Sequence, residues 1–270
     1  MNQTNLEFLV IIGIAVMLLL VISLLLVFNI NQRKKLKHQN EMQQLREKQQ
    51  NQLIESAILS EENERHRIAE ILHDEVGAIL SSTRLHFSNI KNDQLNEKDR
   101  LLHEKSKELL DLAITQVRTI SHNLHSTLLK EFGLNEAIRH FMSKIVHGTI
   151  MKVESHLDDD YIVQHPQIDL GVYRIVQELV NNILKHAHAT YINISSELKG
   201  EEKQKYLVMI IRSNGSGISQ EEFEDFRYKP AGLGLKNIQN RIILLRGSIQ
   251  FEKNATDNTV TLTIPINIAP

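Results

Sequence analysis

The sequence predicts a multidomain α+β chain. It has one membrane-spanning helix, a helical hairpin that pairs with a second copy into a four-helix bundle, and a C-terminal domain of mixed sheet and helices. Three observations carry this. Pro166, Pro230, Pro265 and Pro270 are the only prolines, and seven of the eleven glycines fall from Gly171 onward. These are the two residues least compatible with a helix interior, so a helical first half is followed by a half containing turns. Residues 8–28 contain no charged side chain. After residue 150, short apolar or alternating runs are separated by polar turns, the pattern of strands.

The 21 residues of that uncharged run match the roughly 20 that a helix needs to cross the hydrocarbon layer. A cleaved signal peptide would have a basic start, a shorter apolar run and a small-residue cut site. Here the start carries Glu7 and the run is too long. Arg33, Lys34, Lys35 and Lys37 follow directly, and positive charge stays on the cytoplasmic side. The expectation is a single span in a bacterial cell membrane with lipid around it. Residues 1–7 then form an extracytoplasmic tail, and the rest of the chain is cytoplasmic. Residues 29–62 are rich in Gln, Lys and Glu, with a loose apolar stripe at Leu36, Met42, Leu45, Leu53, Ile58 and Leu59. They read as a helical or coiled-coil linker.

Composition excludes several classes. With 31 basic and 33 acidic residues the net charge is -2, which speaks against direct nucleic-acid binding. The absence of Cys removes disulfides, thiolate metal sites and thiol nucleophiles.

In residues 64–87, Ile68, Leu72, Val76, Ile79 and Leu80 recur at three- and four-residue steps, the mark of an amphipathic helix. His73 lies off the centre of that stripe. Its neighbours one turn away are the small residues Ala69 and Gly77, which would leave room for a bulky group. Asp74 and Glu75 follow, and a carboxylate can orient an imidazole and raise its basicity. Residues 100–124 form a second such helix with Leu109, Leu110, Leu112, Ile114, Val117 and Ile120 on its apolar face. A hairpin of two helices cannot cover its own stripe, so a second copy completes it. A connection through Gly133 leads to a further helix.

In the second half, residues 151–158, 191–198, 206–213, 247–253 and 258–266 read as strands, and residues 168–187 as a helix with Pro166 near its start. Three constellations stand out there. Glu178, Asn182, Lys185 and His186 form one row of a carboxylate, an amide, a cation and an imidazole, a suitable lining for a magnesium-polyphosphate site. Ser213-Asn214-Gly215-Ser216-Gly217 follows a strand. Ala231-Gly232-Leu233-Gly234-Leu235 opens a helix, where backbone N–H groups can meet phosphate.

Taken together, ERHRIAEILHDEVG, QELVNNILKHA, SNGSG and AGLGLKNIQNRI resemble the sensor histidine kinases of two-component signalling. The particular likeness is to the nitrate and desaturase sensor subfamily. Residues 126 and its neighbours resemble the family's connecting region, with Ser126 where proline is common. The resemblance spans residues 62–266 and implies a dimerisation and phosphotransfer domain at 63–148 and an ATP-binding domain at 149–270. It implies that His73 accepts the γ-phosphoryl group from ATP, with Asp74 as base or orienter and Glu75 beside it. Asn182 would ligate Mg2+ with support from Glu178, and Lys185 and His186 would contact phosphates. Ser213, Gly215, Gly217, Gly232, Leu233 and Gly234 would shape the nucleotide pocket. The implied partners are a second copy of the chain and a cytoplasmic response regulator, with a helix-turn-helix output domain, that receives the phosphoryl group on an aspartate.

The sequence departs from the family at two places. The family has an Asp where Ser213 stands, accepting a hydrogen bond from the adenine amino group. A neutral acceptor is worth less than a charged one, so adenine binding is expected to weaken roughly tenfold. Four residues after Asp74, where the subfamily's phosphatase motif has Gln or His, stands Ala78, which cannot orient a water. A competing reading is a kinase-like scaffold without catalysis that binds a regulator or partner kinase; Ser213 favours it, and the otherwise intact motifs oppose it.

Overall fold

The structure is a computed structural model, and it describes residues 3–90, 96–124, 127–148, 150–161, 166–201, 204–225, 233–254 and 256–266. The chain divides into two compact units, Met1–Leu53 and Ile54–Pro270. The first unit belongs to helix α1 (Gln3–Ile71), which continues into the second. Among the described residues no helix is long and apolar enough to cross a membrane. Within the expected span over 8–28, the side chains of 8–12, 14–16, 18 and 21–22 are not described. Those that are described include Met17, Leu19, Leu20 and Leu24 through Phe28, all more than half exposed.

In the second unit, α1 gives way to a π turn, Leu72–Val76, and then to α2, Gly77–Ser88. Helix α3, Glu97–Leu124, returns beside them. This is the hairpin that the two apolar stripes require. Arg84 and Asp111 form an ion pair between α2 and α3, with Nε 2.9 Å from Oδ1. Near the turn Phe87 stacks on His103 with ring centroids 5.9 Å apart. Ile114 is buried, whereas Leu109, Leu112 and Ile120 on α3 and Ile79 on α2 remain at least half exposed. Ala69 does not serve as clearance beside His73. It is 2% exposed, and its carbonyl accepts a hydrogen bond from Ser121 Oγ on α3 at 3.0 Å. It is small because α3 packs there.

Helix α4, Thr127–Gly148, is kinked at Gly133, where φ is 81°. That left-handed backbone is a glycine conformation. Ser126 and residues 91–95 lie outside the described residues. Five strands follow: β1 Lys152–His156, β2 Tyr191–Glu201, β3 Gln204–Ser213, β4 Ser248–Lys253 and β5 Asn258–Pro265. They form one sheet in the order β1-β2-β3-β5-β4. Only β1 and β2 run parallel; the other pairs are antiparallel. Helix α5, Pro166–Asn182, connects the parallel pair and ends in a second π turn, Ile183–Ala187. Alternation places Ile192, Ile194, Leu207, Met209, Ile211, Leu262 and Ile264 on one face, each at 2% exposure or less. Val172, Ile175, Val176 and Val180 of α5 are fully buried in the same core.

Two further helices complete the domain. The short α6, Gln220–Asp225, was not expected. It is closed by a capping box in which Glu222 N–H bonds Ser219 Oγ and Ser219 N–H bonds Glu222 Oε2. Helix α7, Leu233–Leu244, contributes Ile238 and Ile242 to the core.

Candidate functional site: an exposed imidazole and a nucleotide cradle

His73 projects from the π turn with its side chain 68% exposed. Such one-turn insertions concentrate at functional positions in helices. Its Nδ1 lies 2.8 Å from Asp74 Oδ1. An ionised carboxylate only accepts, so the neutral ring has its proton on Nδ1 and its lone pair on Nε2, pointed away from Asp74. The pair is thus a solvent-facing nucleophilic nitrogen with its tautomer fixed. Glu75 and Ala78 are exposed on the same segment. A Cβ at Gly77 would meet only the Leu72 carbonyl oxygen, at 3.4 Å. Space is therefore open on that side of the helix.

The three constellations of the second half come together. The π turn 183–187 leaves the Ala187 carbonyl free to accept a hydrogen bond from Ser216 N–H at 2.8 Å. Gly215 sits directly on that carbonyl with φ 93°, and any Cβ there would overlap it. Asn214 Oδ1 accepts from Thr190 N–H and Tyr191 N–H at 2.8 and 3.1 Å, and its Nδ2 donates to Thr190 Oγ1. The loop after β3 is thereby fastened to the end of α5. Gly234, in the first turn of α7, lies against the Glu178 carboxylate of α5, so closely that a Cβ would collide with it. Gly217 lies likewise against the Asn258 side chain of β5. Gly215, Gly217 and Gly234 each mark a close approach between separate elements.

Asn182 and Glu178 are half-buried, whereas Lys185 and His186 are exposed on the π turn. Carboxylate and amide oxygens one turn apart are the hard donors that Mg2+ takes, so this row fits the ion. Ser213 is buried, 4% exposed. Gly232 lies outside the described residues, as does the side chain of Leu233. Among the described residues no hydrogen bond or ion pair joins His73 to the nucleotide motifs.

Sequence reading missed two features. One is Asn258, the β5 residue in register with Ser213. The other is an ion-pair cluster between α1 and the C-terminal domain. Arg174 Nη2 bonds Glu62 Oε2 at 2.8 Å, with side-chain exposures of 5% and 13%. Arg241 pairs with both Glu61 and Glu62. Arg174 also donates to the carbonyls of Asn123 and Leu124, which end α3. A run of acidic residues upstream of the phosphoacceptor motif was the only visible signal.

Comparisons with known proteins match two parts of the chain. The family described as "Histidine kinase" matches residues 64–129. The family described as "Histidine kinase-, DNA gyrase B-, and HSP90-like ATPase" matches residues 167–268. The oxygen sensor histidine kinase NreB of Staphylococcus carnosus is 26% identical over 220 residues, 80% of this chain and 60% of that protein. The signal transduction histidine-protein kinase/phosphatase DegS of Brevibacillus brevis is 26% identical over 221 residues, 77% of this chain and 53% of that protein. The chain thus spans between half and two thirds of the length of these relatives. Among solved structures, the Erythrobacter litoralis EL346 blue-light activated histidine kinase aligns with a TM-score of 0.44 at 16% identity, covering 72% of this chain and 59% of that one.

Proposed function

We propose that the chain, which carries the histidine kinase and ATPase domains that the comparisons match, is a sensor histidine kinase that phosphorylates His73 from Mg-ATP and passes the phosphoryl group to an aspartate of a response regulator. The single observation that supports this most is the His73–Asp74 pair. A proton held on Nδ1 makes Nε2 the nucleophile. As Nε2 attacks the γ-phosphorus, a P–N bond forms and the bond to the β–γ bridging oxygen breaks. Asp74 then faces the positive charge that develops on the ring. Positioning and charge stabilisation supply most of the rate in phosphoryl transfer. Asn182, supported by Glu178, would hold Mg2+, which supplies positive charge to the polyphosphate. Lys185 and His186 would contact phosphates from the exposed π turn after α5.

The test is direct. The full chain in detergent micelles, given γ-labelled ATP and Mg2+, takes up acid-labile label. His73→Gln carries none. Transfer of that label to a regulator's receiver domain supports the second step. Absence of label in the wild type overturns the kinase reading.

Membrane anchoring, with a cytoplasmic catalytic part, is supported by the uncharged 21-residue run and the four cations behind it. Membrane fractionation with protease protection tests it. A homodimer through the hairpin is supported by Ile79, Leu109, Leu112 and Ile120, which stay exposed in one copy. One observation favours a second reading, a scaffold without catalysis: Ser213 stands where the family's adenine-reading carboxylate belongs.

A further inference from the structure

The Ser213 substitution has a counterpart on the neighbouring strand. Asn258 opens β5 and is the register partner of Ser213, so both side chains project from the same face of the sheet. Asn258 is only 7% exposed. Its Nδ2 donates to the Gly215 carbonyl at 2.9 Å. That bond fixes which way the amide faces and leaves Oδ1 directed at Gly217, which has no Cβ and could not have one there. Oδ1 is buried and has no hydrogen-bond partner among the described residues. A buried acceptor left unbonded carries a real cost, and native structures keep one where a ligand supplies the donor.

We propose that Asn258 Oδ1, and not Ser213, is the acceptor that reads the exocyclic amine of the nucleotide base, and that it sets the preference for adenine over guanine. The inference rests on the kinase reading and deepens it. The chemistry separates the two candidates. A hydroxyl rotates and can donate as readily as accept, so Ser213 alone discriminates poorly between the 6-amino group of adenine and the 6-oxo group of guanine. The amide of Asn258 is locked by Gly215, so its oxygen can only accept. It welcomes the amine and opposes the carbonyl. The acceptor that the family carries at the end of β3 has moved across one strand pair, to the start of β5.

The test titrates the full chain, in detergent micelles, with Mg-ATP and Mg-GTP in parallel by calorimetry. The wild type is expected to prefer Mg-ATP. Asn258→Leu, similar in shape but without the acceptor, is expected to lose about tenfold in ATP affinity while GTP affinity changes less than about twofold. Ser213→Ala leaves the preference intact. The proposal is overturned if Ser213→Ala abolishes the preference or if Asn258→Leu weakens both nucleotides equally. That last result would make Asn258 a support of the loop only. A wild type that binds both nucleotides equally overturns this proposal and leaves the kinase reading standing. A wild type that binds neither overturns both.

Discussion

At the scale of single residues, the glycines of the cradle are contact points, and this gives a sharp expectation. Gly234→Ala drives a Cβ into the Glu178 carboxylate, the far end of a flexible side chain. Glu178 swings aside at little cost to the fold, but it leaves its place one turn from Asn182. Mg-ATP affinity is expected to fall at least about tenfold, while Gly77→Ala, which meets only ordinary contact at 3.4 Å, leaves it unchanged. Equilibrium titration of both variants distinguishes them; equal affinity for wild type and Gly234→Ala would mean that the contact is idle. A second residue-scale expectation concerns Ala78, exposed one turn beyond Asp74. A methyl group cannot hold a water in line with a regulator's acyl phosphate. Wild-type chain is therefore expected to remove little phosphate from a pre-phosphorylated regulator, and Ala78→Gln to accelerate that removal. Rapid dephosphorylation by the wild type would refute the role assigned to this position.

At the scale of elements, the hairpin, the five strands and the central helix were readable because each depends on a local pattern. The three-and-four step of Ile68, Leu72, Val76 and Ile79 specifies a helical face, and the alternation through β2 specifies a strand whatever lies elsewhere. The three nucleotide motifs were also readable, because each occupies a few consecutive residues. What escaped depends on partners remote in sequence or on a change of helical pitch. Glu62 meets Arg174 across 112 residues, and Glu61 meets Arg241 across 180. No periodicity encodes such a pairing. Neither does any composition rule mark the π turns at 72–76 and 183–187, since each preserves a helical appearance while adding one residue. Helix α6 was missed for another reason: its Ser219–Glu222 capping box was in plain view, but only six residues follow it. The Arg174 cluster carries its own expectation. Removing one partner from a buried ion pair leaves the other charge stranded, at about 3–5 kcal/mol, whereas replacing both with apolar groups is often near neutral. Arg174→Met and Glu62→Leu should each lower the melting temperature of the C-terminal part, and the double variant should lose less than the sum of the two, since Arg241 keeps Glu61. Simple addition of the two losses would show that the pair is not coupled.

At the scale of the whole molecule, α1 links everything that the sequence places near the membrane to the phosphoacceptor segment. It is one helix from Gln3 to Ile71, with no proline and no glycine between Gly13 and Gly77 to interrupt it. The described side chains from 31 to 52 are exposed in a single copy. Glu61 and Glu62 are held by Arg174 and Arg241 just before the phosphoacceptor motif. One residue added beside Gln44 turns everything upstream by about 100° relative to everything downstream, and three or four added residues restore the phase. If the apolar run is seated in a bilayer, which resists rotation of a dimer's helices, the strain falls on the ion-pair cluster and on the π turn that presents His73. Labelling of His73 in vesicle-reconstituted insertion variants is therefore expected to rise and fall with a period near 3.6 residues, with the extremes about half a turn apart. The same insertions in detergent micelles, where the upstream end rotates freely, should give nearly constant labelling. A flat profile in vesicles would show that α1 serves only as a tether and that the stimulus reaches His73 by another route.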